Sequence, residues 1–145
     1  MAGYSGTPLV AKLGLKPGAR AVFTAIPEAV QRELIPVPEG MIRLKKIFAP
    51  VDFAIWFSTT TKEVEDAFRR VGPKLAPNGM IWIAWPKRAS GVPTELTEDV
   101  IRRIGLSKRL VDVKVCAVDE VWSGLKFVIR TKDRPAREVG APRRR

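Results

Sequence analysis

Apolar and polar positions along the chain change period several times, and each change marks an element. "RAVFTAI", Arg20 to Ile26, is a short apolar strand, and "PEAVQREL" after it reads as a short helix. Pro27 suits that helix's first turn, and Glu28 is well placed against its dipole. "MIRLKKI", Met41 to Ile47, alternates apolar with basic residues, as an exposed or edge strand does. Phe53 to Phe57 is an unbroken apolar run, expected of a strand buried on both faces. Thr60 with Glu63 then forms a capping box, and Val64, Ala67, Phe68, Val71 and Leu75 follow at helical spacing.

The same reading continues to the C-terminus. "KLAPNG" predicts a turn through Pro77 and Asn78-Gly79, and a strand from Met80 to Trp85 stops at Pro86. "PKRASGVPTEL" is a loop into the helix "TEDVIRRIG", capped by Thr97 and ended by Gly105. "LVDVKVCAV" and "SGLKFVIR" alternate at period two around a turn, as an antiparallel pair would. Near the N-terminus "SGTPLVAKLGLKPG" predicts a helix capped by Thr7, with Pro8 in its first position and Gly14 closing it.

Strands separated by helices pair in parallel through right-handed crossovers, and the last two strands add an antiparallel edge. The predicted fold is α/β: a three-layer, Rossmann-like, mostly parallel sheet with a C-terminal antiparallel hairpin. Residues 1–130 form one domain, and 131–145 a basic, disordered tail. The chain's 145 residues suffice for one core. No apolar run nears the roughly 20 residues that span a bilayer, and the N-terminal residues do not read as a secretory signal. A soluble, cytoplasmic protein is expected, with no membrane partner.

Composition removes several chemistries. The single cysteine, Cys116, has no partner for a disulfide within the chain, and the absence of histidine argues against a metal site and against His-based nucleophilic catalysis. Cys116 itself lies in an alternating strand and reads as a buried, inert thiol. Net charge is +11, and residues 130–145 contribute seven basic and two acidic residues to it. The last of these, Arg143, Arg144 and Arg145, offer a weak polyanion or nucleic-acid contact, although a solubilising tail explains them better.

Ligands on open α/β sheets bind beyond the carboxyl ends of the strands. The residues predicted at that rim are Thr24 after the first strand, Ser58, Thr59 and Thr60 after the central one, and Trp85, Lys87 and Arg88 after "MIWIAW". A helix N-terminus and two cations favour an anionic ligand, and an indole can stack on a planar group. Helix capping alone also explains Thr60, and solvated loop charge explains Lys87 and Arg88. Trp56 and Trp82 lie inside apolar strands and read as core. Trp122 borders a turn.

The order of elements, with "LKPGARAVFTAIPEAV" at its start and "LAPNGMIWI" before a late strand, resembles the class I S-adenosylmethionine (SAM) methyltransferase core. "YSGTPLVAKLGLKPG", "WPKRASGVPTELTEDVIRRIGL" and "LVDVKVCAVDEVWSGLKFVIR" further resemble a bacterial, mainly actinobacterial, domain family of unknown function. The methyltransferase resemblance implies glycines after strand one, where backbone meets cofactor, and an acidic residue ending strand two, which holds the ribose. The chain has "TAIPEA" and "KKIFAP" at those places. The expectation is therefore a non-catalytic binding module on a degenerate methyltransferase-like scaffold, taking an anionic small molecule or a protein partner at the rim, without SAM. The alternative is a SAM-dependent methyltransferase with a remodelled cofactor pocket.

Overall fold

The computed structural model describes residues 6–48 and 50–134. The expected polyanion contact at Arg143 to Arg145 lies outside them. Six strands form one sheet: β1 (Arg20–Thr24), β2 (Ile42–Arg43), β3 (Val51–Phe57), β4 (Leu75–Pro86), β5 (Leu110–Ala117) and β6 (Trp122–Ile129). Their order is β2-β1-β3-β4-β6-β5. The first four are parallel, and β6 pairs antiparallel with both β4 and β5. Four helices, α1 (Leu9–Leu13), α2 (Glu28–Glu33), α3 (Thr61–Val71) and α4 (Glu98–Ser107), cover the two faces. This is the predicted three-layer α/β architecture.

Two cores result, one on each side of the sheet. On one face Val64, Ala67, Phe68 and Val71 of α3 and Ile101 of α4 meet Ala54, Trp56, Ile81, Ile83 and Phe127. On the other, Leu9 and Leu13 of α1 and Val30 of α2 meet Phe53, Ile55, Phe57 and Trp82. β3 thus alternates between two apolar layers, and that explains its unbroken apolar run. Trp56 and Trp82 are core, and Trp82 Nε1 donates to the Leu13 carbonyl at 2.8 Å, tying the end of α1 to the sheet. Arg20 grips Asp52 through Nε at 2.8 Å and Nη2 at 3.1 Å, pinning β1 to β3 at their N-terminal ends.

Several boundaries move for physical reasons. Strand two is confined to Ile42–Arg43 rather than Met41 to Ile47, because the following residues cross under the sheet, where Leu44 and Ile47 pack on the α3 face. β1 stops at Thr24, two residues earlier than expected. Leu75 begins β4 instead of extending α3, and "LAPNG" is a bulged stretch of that strand rather than a turn. A β-carbon on Gly79 would lie 2.6 Å from the Val51 carbonyl oxygen, so glycine here permits close strand approach. Pro8 and Pro27 take the N-cap positions of α1 and α2 and supply no side-chain cap, so Pro8 stands at the position expected of Thr7. Gly14 closes α1 in the left-handed conformation as predicted, with φ 76°.

α4 continues past Gly105 to Ser107, so that glycine does not end the helix. Its role is contact. A β-carbon there would stand 2.2 Å from Cε2 of Phe127, which is fully buried. Glycine to alanine within a helix ordinarily adds stability. Here overpacking outweighs propensity, and Gly105→Ala is expected to cost about 1–2 kcal/mol in urea denaturation.

Candidate functional site

The rim at the carboxyl ends of the parallel strands gathers most of the predicted residues. Thr24 ends β1 and pairs in register with Trp56 of β3. Ser58 continues β3 by donating its N–H to the Ala84 carbonyl at 2.9 Å. Its hydroxyl is buried and makes no hydrogen bond to the protein. Thr59 and Thr60 lead into α3. Trp85 is buried near the end of β4, in the core on the α3 side. Lys87 is drawn toward β6, its N–H donating to the Val121 carbonyl at 2.7 Å. Thr24, Ser58, Thr59 and Thr60 therefore lie on adjacent strand ends, while Lys87 is tied to the hairpin and Arg88 lies with Trp85 on the β4–α4 loop side.

The turn after β1 carries a backbone feature invisible in the sequence. Ala25 has φ 57°, in the left-handed region that glycine adopts freely. An alanine there costs about 1–2 kcal/mol relative to right-handed backbone. Its side chain is exposed. The turn keeps a glycine-like path and carries only a methyl group where the methyltransferase resemblance implies glycine.

The N-terminus of α3 is already furnished with carboxylates. Thr60 Oγ1 accepts from Glu63 N at 3.2 Å, and Glu63 Oε1 accepts from Thr59 N at 2.8 Å and Thr60 N at 3.2 Å, completing the predicted capping box. A second carboxylate was not legible as a partner. Glu95 Oε2 accepts from Thr61 N at 2.6 Å and Thr61 Oγ1 at 3.0 Å. Glu95 arrives from the β4–α4 loop, which is sewn to the rim where the Thr59 carbonyl accepts from Thr94 Oγ1 at 2.8 Å and Glu95 N at 3.2 Å. The chain itself thus places an anion where the sequence suggests a ligand's anion. Only the tertiary fold brings these residues together, 34 positions apart. Behind this loop lies a cleft of about 430 Å³ lined by Trp85, Arg88, Val92, Pro93 and Leu96.

A second hollow, about 250 Å³, flanks β1 on the α2 side between Phe23, Ile26, Leu34 and Met41. Arg43 sits over the Phe23 ring, 5.0 Å from its centroid. Trp122 packs edge-on against Phe57 at 5.1 Å between ring centres, covering a core edge. Cys116 is half-buried, and burial raises its pKa against the pull of Lys12, Lys114 and Lys126. Among the described residues no helix is long and apolar enough to cross a membrane, and no group of three or more His, Cys, Asp or Glu side chains is disposed to hold a metal ion.

This geometry belongs to a known fold class. The chain has the fold of SAM-dependent methyltransferases: it superposes on one from Aquifex aeolicus with a TM-score of 0.61, at 14% identity over 83% of this chain and 88% of that one. Magnesium protoporphyrin IX methyltransferase from Synechocystis, with bound SAM, matches with a TM-score of 0.54 at 14% identity, over 83% of this chain and 74% of that one. Fibrillarin from Aeropyrum pernix, with natively bound SAM, matches at 0.52 and 14%, over 87% and 70%. No family model and no curated relative matches the chain.

The rim meets an adenosyl cofactor's requirements in one place and fails them in another. The left-handed turn at Ala25 allows close backbone approach. The acid expected at the end of strand two has no counterpart: β2 ends at Arg43, opposite Ala21, three residues below Thr24, and carries a cation. Glu28 is exposed and paired with Arg32 at 3.1 Å. An adenosyl ligand here needs a different ribose partner.

Two predictions follow from the α3 cap. Thr60→Ala and Glu95→Ala each lower stability by about 1 kcal/mol in denaturant titrations, since each leaves a first-turn N–H without its acceptor. The Glu63 carboxyl is held below its ordinary pKa of 4.5, first by the Thr59 N–H, against desolvation. A depressed folded pKa gives stability that is full above pH 4.5 and lost as pH falls below it. Glu63→Gln accordingly flattens the acid limb of a stability–pH profile and leaves the alkaline limb unchanged.

Proposed function

We propose that the chain binds an adenosyl-type ligand, SAM or S-adenosylhomocysteine, over the turn that follows β1, in a pocket remodelled from the methyltransferase pattern. One observation carries this reading: Ala25 holds a left-handed backbone at the fold's cofactor turn. Strain of this kind persists where surrounding structure over-determines it, and it clusters at ligand sites. The SAM-bound neighbours support the reading at the level of fold. Thr24 and Thr59 offer hydroxyls at the adjoining strand ends, above the buried Ser58 Oγ, which has no hydrogen-bond partner among the described residues. Binding, rather than group transfer, is what the turn supports.

A second reading has its own observation. Glu95 occupies the first turn of α3 as a built-in anion, which suits a non-catalytic module whose rim is closed at that point. The cleft between Trp85 and Leu96, with Arg88 at its wall and Lys87 beside it, is then the place for an anionic small molecule or a partner's segment. The narrower resemblance, to a mainly actinobacterial domain family of unknown function, adds no activity to either reading.

Equilibrium dialysis of the full chain separates the two. Saturable binding of SAM or S-adenosylhomocysteine is expected, lost in Ala25→Val, whose branched side chain disfavours left-handed backbone by a further ~1–2 kcal/mol, and kept or strengthened in Ala25→Gly. Circular dichroism confirms that both variants fold. Retention of neither ligand by the wild-type chain, with nucleotides or other anions bound instead, establishes the second reading.

A further inference from the structure

α1 packs Leu9 and Leu13 on one face of the sheet. Beside it β5 and β6 turn Lys114 and Lys126 outward, and these two lysines are register partners across the antiparallel pair. Like charges directly opposite one another on a sheet are destabilising. The arrangement arises from the irregularity between Asp112 and Lys114. It leaves Asp112 on the α4 side, bonded to Arg102 at 2.9 Å, and puts Lys114 on the α1 side, where its Nζ donates to the Lys12 carbonyl at 3.0 Å.

More positive charge converges on the same place. Lys12 lies in the last turn of α1 and Lys16 follows the helix. Lys126 Nζ comes within 3.9 Å of the position a Gly14 β-carbon would take. Its ammonium is held below the ordinary lysine range by burial first, and then by the charges of Lys114 and Lys16. Lys16, Lys114 and Lys126 join no ion pair among the described residues.

We propose that this face, made by Lys12, Lys16, Lys114 and Lys126, binds the phosphodiester backbone of nucleic acid. Lysines are flexible point charges that read charge rather than planar shape. These four are contributed by α1, the segment after it, β5 and β6, a spread of positions that suits a chain of phosphates better than a single anion. The net charge of +11 strengthens the attraction at long range. A polyanion also relieves the Lys114–Lys126 repulsion, so the opposed pair costs least when the ligand is bound. The face is separate from the rim: Lys126 pairs with Trp82, whereas Trp122 pairs with Pro86, four residues or about 13 Å further along the strand.

Fluorescence anisotropy of the full chain with a short single-stranded oligonucleotide, across a salt series, tests the proposal. Lys114→Gln with Lys126→Gln is expected to weaken binding about tenfold at low salt and to reduce the slope of log K against log salt by about 1. The melting temperature should hold or rise, because the repulsion is gone. Lys16→Gln, at an exposed position, should weaken binding without touching the sheet. Unchanged affinity in both variants overturns the proposal, as does a loss confined to a variant with Arg143, Arg144 and Arg145 all replaced by Gln. A lower melting temperature in the double variant assigns these lysines a structural role instead, and displacement of the oligonucleotide by phosphatidylserine vesicles assigns the face to a membrane.

Discussion

A strand buried on both faces fixes the geometry of everything around it. β3 gives its backbone to β1 and β4 and its side chains alternately to two cores, so neither its register nor its height is free. Where it ends, the chain must emerge between layers, and the buried Ser58 leads directly into the cap of α3. The rim's donors therefore surface in a narrow strip. Glu63 and Glu95 answer those on α3; the turn at Ala25, beside them on β1, keeps its unusual backbone.

The fold was legible because its signals are local. The Phe53 to Phe57 run, the Thr60–Glu63 box and the alternation of the last two strands each depend on residues within a turn or a strand of one another. Tertiary demands decided the rest. Gly79 and Gly105 read as punctuation in the sequence, yet both are glycine because a carbonyl and a phenyl ring press against them. "MIRLKKI" has the alternation of a strand, but only two of its residues pair as β2 before the chain leaves the edge.

The candidate site was half legible. Strand ends follow from topology, so counting elements puts Thr24, Ser58 and Thr59 at the ends of β1 and β3, whereas the indole expected at the rim, Trp85, is buried in the core on the α3 side. Two features of the site lie beyond sequence reasoning. Nothing in "TAIPEA" signals that Ala25 adopts glycine's backbone, since propensity argues against it. Nothing in "PTELTEDV" links Glu95 to Thr61, because the loop that carries it is positioned by contacts to Thr59. The expectation of a scaffold without SAM rests on the residue identities in "TAIPEA", whereas the proposed adenosyl site rests on the backbone at Ala25, which those identities do not reveal.

The central proposal is that this turn receives an adenosyl group. Amide chemical-shift mapping with S-adenosylhomocysteine tests it most directly, since it reports location as well as binding. The account predicts saturable shifts at Thr24, Ala25, Ile26, Ser58 and Thr59, with Lys114 and Lys126 unmoved. A titration that leaves those rim amides in place, or that moves only the lysine face, contradicts it.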